Sequence, residues 1–129
     1  MKYEELTGVI IDVFNKVYRV LGYGFLESVY VRAMCFEFED RGIKFENEFF
    51  VNVIYEGRVA GKYVADFIVE DKVVVEVKAI REVSEADERQ LLNYLRCTDK
   101  EVGLLLNFGE KAQVRRKVYD NELKRKYLD

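Results

Sequence analysis

Glu76 and Lys78 stand two residues apart in Val73-Val74-Val75-Glu76-Val77-Lys78, a run that is otherwise apolar and β-branched. Side chains alternate along a strand, so both project from one face. A carboxylate in such a run is costly to bury unless it is paired or metal-bound. Asp66 poses the same problem in Tyr63-Val64-Ala65-Asp66-Phe67-Ile68-Val69. Paired carboxylates are hard oxygen ligands for Mg²⁺ or Mn²⁺, ions that polarise a phosphodiester and acidify a water. A neighbouring lysine can orient that water and offset charge on the phosphoryl oxygens. A buried Glu-Lys or Asp-Lys ion pair is the plainer use of the same three residues.

What the chain lacks narrows the chemistry. There is no histidine, which excludes Ser-His-Asp and Cys-His catalysis and any histidine metal ligand. Gly22-Tyr23-Gly24 lacks the third glycine and the preceding strand of a dinucleotide site, and no phosphate-loop pattern occurs. Cys35 and Cys97 are too few and too far apart for a disulfide framework or a zinc site, and read as free thiols. Chemistry must run on carboxylates, lysine, amides and tyrosine. The chain has 129 residues, 50% apolar and 14% aromatic, which suits one domain, residues 1–129, around one core. No run reaches the roughly 18 apolar residues that span a bilayer. Met1-Lys2-Tyr3-Glu4-Glu5 is not laid out as a signal peptide. The expectation is a cytoplasmic protein with no membrane partner.

The elements that must carry Asp66, Glu76 and Lys78 follow from periodicity. Leu6, Val9, Ile10, Val13, Phe14, Val17 and Leu21 recur at helical spacing over residues 4–21. A second helix is expected from about Leu26 to Arg41, stopping at Gly42. Val29, Tyr30, Val31, Ala33, Met34, Cys35 and Phe36 make its middle apolar nearly all round, so much of it should be buried. Residues 44–55, 58–70 and 73–78 read as an antiparallel meander, with turns at Glu56-Gly57 and Asp71-Lys72. The second turn sets Asp66 opposite Val77, between Glu76 and Lys78. A one-residue shift or a bulge would bring its carboxylate onto their face. Ser84 and Asp87 form a capping-box pattern before a helix to about Arg96. Val102–Phe108 is a fully apolar-type strand, added parallel through the crossover helix. Residues 113–119 suit a further strand, and the tail to Asp129 a short helix. The order is α-α-β-β-β-α-β, an α/β fold with a central mixed β-sheet flanked by helices.

Several fragments together resemble a known family. Gly24-Phe25-Leu26-Glu27-Ser28-Val29-Tyr30 is similar to the signature of the GxxExxY proteins, of the PD-(D/E)XK nuclease superfamily. The likeness extends over Leu21-Gly22, Ala65-Asp66, Val75-Glu76-Val77-Lys78, Gln90-Leu91-Leu92-Asn93-Tyr94-Leu95 and Gly103-Leu104-Leu105-Leu106-Asn107-Phe108-Gly109, in that order. The resemblance implies the restriction-endonuclease-like core of that superfamily. It implies Glu27 as the first-helix acid, Asp66 as the motif aspartate, Glu76 as the second acid and Lys78 as the motif lysine. Gln90 and Tyr94, one helical turn apart, are similar to the Q-x-x-x-Y element of RecB-type nucleases, which supports the metal or touches the substrate backbone. The implied ligand set is Asp66, Glu76, the Val77 main-chain carbonyl and Glu27, directly or through water. Tyr18 and Asp87 stand where or near where the family usually has histidine, and Tyr23 where it tends to have proline. Those departures spare every carboxylate.

Two functional expectations follow. The first is a Mg²⁺- or Mn²⁺-dependent nuclease hydrolysing phosphodiester bonds in DNA. The second is a non-catalytic module that keeps the nuclease fold to bind nucleic acid or protein. Net charge is −3, which favours the second, while the complete acid-lysine-glutamine set favours the first. Residues 111–126 hold Lys111, Arg115, Arg116, Lys117, Lys124, Arg125 and Lys126 against Asp120 and Glu122. This basic segment could grip phosphate locally, chiefly through Arg115, Arg116 and Lys117. Strand alternation forbids all three from sharing one face. Small nucleases of this fold often pair into homodimers, though no stretch here marks an interface.

Overall fold

Alternation and helical periodicity sort the chain into eight main elements in the computed structural model, which describes residues 2–124. They are α1 (Glu4–Leu21), α2 (Glu27–Asp40), β1 (Phe45–Tyr55), β2 (Arg58–Val69), β3 (Val73–Lys78), α3 (Glu85–Arg96), β4 (Val102–Phe108) and β5 (Ala112–Val118). A 3₁₀ turn, Asn121–Leu123, follows β5. The rest of the helix expected in the tail, with Arg125 and Lys126, lies outside the described residues.

The five strands form one mixed sheet in chain order, antiparallel except for the parallel β3–β4 pair. α1 and α2 cover one face. Ile10, Val13, Phe14, Val17, Tyr30, Met34 and Phe38 pack there against Val73, Val75 and Val77 of β3 and Leu104, Leu106 and Phe108 of β4. Phe108 is stacked by Tyr30 at 4.3 Å and met edge-on by Phe14 at 4.6 Å. Each such pair adds about 0.5–1.5 kcal/mol beyond area burial, and together they clamp both helices to the sheet's centre. α3 covers the other face, where Leu91, Tyr94 and Leu95 pack on Val51, Ala65, Ile68, Val74 and Leu105. β3 and β4 are covered on both sides, which is why their sequences are apolar runs. The capping box is realised: Ser84 Oγ accepts from Asp87 N at 3.1 Å, and Ser84 N donates to Asp87 Oδ2 at 2.9 Å.

α2 departs from its expectation. Phe36 is 54% exposed and Val29 37%, so the helix buries one side only, through Tyr30, Met34, Cys35 and Phe38. It lies on a sheet face that it shares with α1, and among the described residues none covers its back.

The β2–β3 register also differs from expectation. Glu70 and Asp71 take φ of +53° and +56°, and Lys72 N donates to Val69 O at 3.0 Å. The primed turn therefore begins one residue earlier than Asp71-Lys72, and Lys72 is extra. Val69 pairs with Val73, Ile68 with Val74 and Phe67 with Val75. Continued one step, this register sets Asp66 level with Glu76 rather than Val77. The single-residue offset changes which side chains share a face.

Candidate functional site

The β2–β3 ladder stops at Phe67 and Val75, while β3 continues alongside β4 as far as Lys78 and Asn107. At this fork both strands of the β1–β2 hairpin change face. Phe45 and Phe67 pack toward α1 and α2, whereas Phe49, Val51 and Ala65, of the same parity, pack toward α3. Glu48 absorbs the turn-over at φ +77°, and the β1–β2 pairing passes from Asn47–Phe67 to Phe49–Ala65. β2 thus peels away from β3 where Asp66 and Glu76 stand.

The two acids take over the broken ladder. Val77 N donates to Asp66 Oδ2 at 2.7 Å, and Asp66 N donates to Glu76 Oε1 at 3.1 Å. Main-chain N–H and C=O of one strand residue point to the same edge, so the Val77 carbonyl also opens toward the fork. Glu76 is 8% exposed and Asp66 is half-buried. Burial, then the negative charge of Asp66, pushes the Glu76 carboxyl up to about 8. Burial also raises Asp66, against the opposing pull of the Val77 N–H, Glu76 and Lys78. Both carboxyls are therefore held above the ordinary carboxylate range, as crowded buried acids are.

Lys78, Glu27 and Tyr94 lie close enough to this pair to interact with its charge. The Lys78 ammonium, half-buried, lowers the carboxyls of Asp66, Glu76, Glu27 and Asp87 by its charge. Glu27 opens α2 at the mouth of the fork. Its carboxyl is raised by burial and then by Asp66, with Lys78 opposing. Tyr94 is 4% exposed, and its hydroxyl lies 3.4 Å from Glu76 Oε2, a long contact. Gln90 hydrogen-bonds Tyr94, and burial pushes the phenol up to about 12. Arg115, Arg116 and Lys117 divide as alternation requires. Arg115 and Lys117 both reach Glu88 of α3, at 3.7 and 2.9 Å, while Arg116 donates to the Lys2 carbonyl at 2.5 Å. Lys124 is fully buried, donating to the carbonyls of Thr98 and Lys100, so it offers no charge to a ligand.

Two supports escaped the sequence reading. Tyr30 donates to Gly22 O at 2.7 Å and accepts from Phe25 N at 3.2 Å. With its ring stacked on Phe108, it pins the α1–α2 loop and hence the start of α2 that carries Glu27. Gly24, at φ +107°, supplies the backbone turn that a side chain would oppose. The second support is Asn107, fully buried in an apolar strand. Its Oδ1 accepts from Ile80 N and its Nδ2 donates to Ile80 O, each at 3.0 Å. Nδ2 also donates to Gln113 Oε1, which accepts from Val83 N. Asn107 and Gln113 thereby hold the loop between Lys78 and α3. Gly109 lets that loop sit close, because a Cβ there would come within 2.0 Å of Ile80 O. A polar amide inside a run of buried residues was the available signal.

Asp66, Glu76 and the Val77 carbonyl offer hard oxygens suited to Mg²⁺ or Mn²⁺. A divalent cation would relieve the crowding that pushes both carboxyls above their ordinary range. Among the described residues, no group of three or more acids or cysteines is drawn together as a metal cage. Among them, too, no helix is long and apolar enough to cross a membrane. A family model for the PD-(D/E)XK nuclease superfamily matches residues 4–118. The crystal structure of SSO0001 superposes with a TM-score of 0.53 at 20% identity, over 92% of this chain and 61% of that one. That likeness is one of fold, and the chain spans less than two thirds of the other protein's length. No curated protein matches the chain.

Proposed function

Because the chain belongs to the PD-(D/E)XK nuclease superfamily, we propose that it is a Mg²⁺- or Mn²⁺-dependent nuclease that hydrolyses phosphodiester bonds in DNA, most akin to the GxxExxY proteins within that superfamily. The observation that carries this reading is the fork, where Asp66, Glu76 and the Val77 carbonyl face one gap with Lys78 and Glu27 around it. Asp66, Glu76 and Val77 would hold the cation, and Glu27 would reach it through water. A bound Mg²⁺ or Mn²⁺ supplies Lewis-acid polarisation of the phosphodiester and a water acidic enough to attack at neutral pH. Lys78 would orient the attacking water and stabilise charge on the phosphoryl oxygens. Tyr94 and Gln90 fix the Glu76 carboxylate from the α3 side and face the substrate backbone. Arg115, Arg116 and Lys117 lie on β5 as secondary phosphate contacts.

The pairing of Arg115 and Lys117 with Glu88 favours the second reading, a binding module on the same fold, because it spends two of the three cations internally. Incubation with single-stranded, duplex and branched DNA in Mg²⁺ or Mn²⁺ separates the two. Cleavage that is lost in Glu76→Ala supports the nuclease. Binding with no cleavage of any substrate supports the module.

A further inference from the structure

A cleft of about 280 Å³ lies between α3 and the outer half of the β1–β2 hairpin. Val51, Val53, Tyr63, Tyr94, Asn93 and Arg96 line it. Gln90 borders it beside Tyr94. The two tyrosine rings stand 6.2 Å apart, tilted by 54°. Tyr63 is 46% exposed although its strand neighbour Ala65 is fully buried, so the ring stands over the cleft uncovered. Tyr94 belongs to both places: its ring walls the cleft and its hydroxyl meets Glu76 Oε2 at 3.4 Å. Tyr94 thus links the cleft to the fork.

Pockets that hold an entire small ligand start at about 300 Å³, so this one suits a fragment such as one planar heterocycle. The exposed Tyr63 ring, beside the apolar Val51 and Val53, can take the face of any nucleobase. The Asn93 and Gln90 carboxamides offer donors and acceptors for a base edge. In a continuous duplex those faces and edges are already stacked and paired, so only an unpaired nucleotide can enter. Resting on the nuclease reading above, we infer that this cleft receives an unpaired nucleobase next to the scissile phosphate, and that the substrate is DNA with a single-stranded segment at the cleavage point. Tyr63 and Val53 then govern substrate choice without touching the reacting atoms.

Equilibrium binding with Ca²⁺ in place of Mg²⁺ tests this, using a short single-stranded DNA, the same strand made abasic, its blunt duplex and the RNA of the same sequence. The single strand should bind more tightly than the abasic strand by about 5- to 150-fold, the range of one base–aromatic stack, and more tightly than the duplex. Tyr63→Ala, which opens the wall, and Val53→Trp, which fills the cleft, should each bring the intact strand down to the abasic level. Mn²⁺ affinity should stay unchanged in both. Equal binding of intact and abasic strands by the wild type, or an undiminished difference in both variants, overturns the inference and leaves the nuclease reading standing. Tighter binding of the RNA overturns the choice of DNA. Failure to bind any of the four overturns both readings together.

Discussion

Glu76→Gln changes one atom type at the fork and should make the metal-free protein more stable at neutral pH. The folded chain holds the Glu76 proton up to about pH 8, whereas an ordinary glutamate in the unfolded chain releases it near 4.5. Between those values the native state binds more protons than the unfolded state, so stability falls as pH rises through that window. At 1.36 kcal/mol per unit, the cost is about 3 kcal/mol at pH 7 and nears ~5 kcal/mol above pH 8. Glutamine reproduces the protonated acid: its oxygen can accept from Asp66 N, and its amide can donate to the Asp66 carboxylate. The variant therefore escapes the cost, and its melting temperature at pH 7 should exceed the wild type's by on the order of 10 °C. Thermal melts in a chelator from pH 5 to 9 read the effect directly. The two proteins should converge near pH 5 and diverge as pH rises. Added Mn²⁺ should raise the wild-type melting temperature, because it binds the native pair, and leave the variant nearly unmoved. Parallel profiles across the whole range would refute the reasoning, since they would mean that Glu76 ionises in the fold as it does in water.

Other perturbations have equally definite outcomes. Asp66→Asn should abolish calorimetric Mn²⁺ binding and any DNA cleavage, because it removes an anionic oxygen from the fork while keeping an acceptor for Val77 N–H. Asn107→Ala strands the half-buried Ile80 N–H and C=O, and denaturant titration should show a loss of about 1–3 kcal/mol. Gly109→Ala drives a methyl into the Ile80 carbonyl and should cost at least as much by the same measurement. Tyr30→Phe keeps the stack on Phe108 but removes two hydrogen bonds from the loop before Glu27. It should lose roughly 1–2 kcal/mol of stability and lower turnover more than substrate affinity. Arg115→Ala with Lys117→Ala should flatten the log–log salt dependence of DNA binding by about 0.7–0.9 for each phosphate that the protein no longer neutralises. An unchanged slope with a lower melting temperature would confine those residues to Glu88.

The sequence by itself determined the order of elements, the parallel β4 and the identity of the fork acids. Those properties are local: helical spacing in α1, the capping box at Ser84, the Glu56-Gly57 turn, and acids placed in apolar strands each leave a short-range trace. It also carried the fragments by which the family is recognised. Register did not have that character. Whether the turn falls at Asp71-Lys72 or at Glu70-Asp71 changes little locally, because each residue involved tolerates a turn. The choice nevertheless decides whether Asp66 stands beside Glu76 or Val77. Tertiary packing made that choice, by matching Phe67 to the face under α2 and Ile68 to the face under α3. The same packing left α2 half-exposed, since apolar content says how much a helix can bury and not how much surface is available to cover it. It also gave Asn107 and Gln113 their roles. Their partners Ile80 and Val83 are met only when the chain closes, and a hydrogen bond between distant segments has no periodicity to read. The cleft beside Tyr94 arises the same way, from a hairpin longer than the strand it joins.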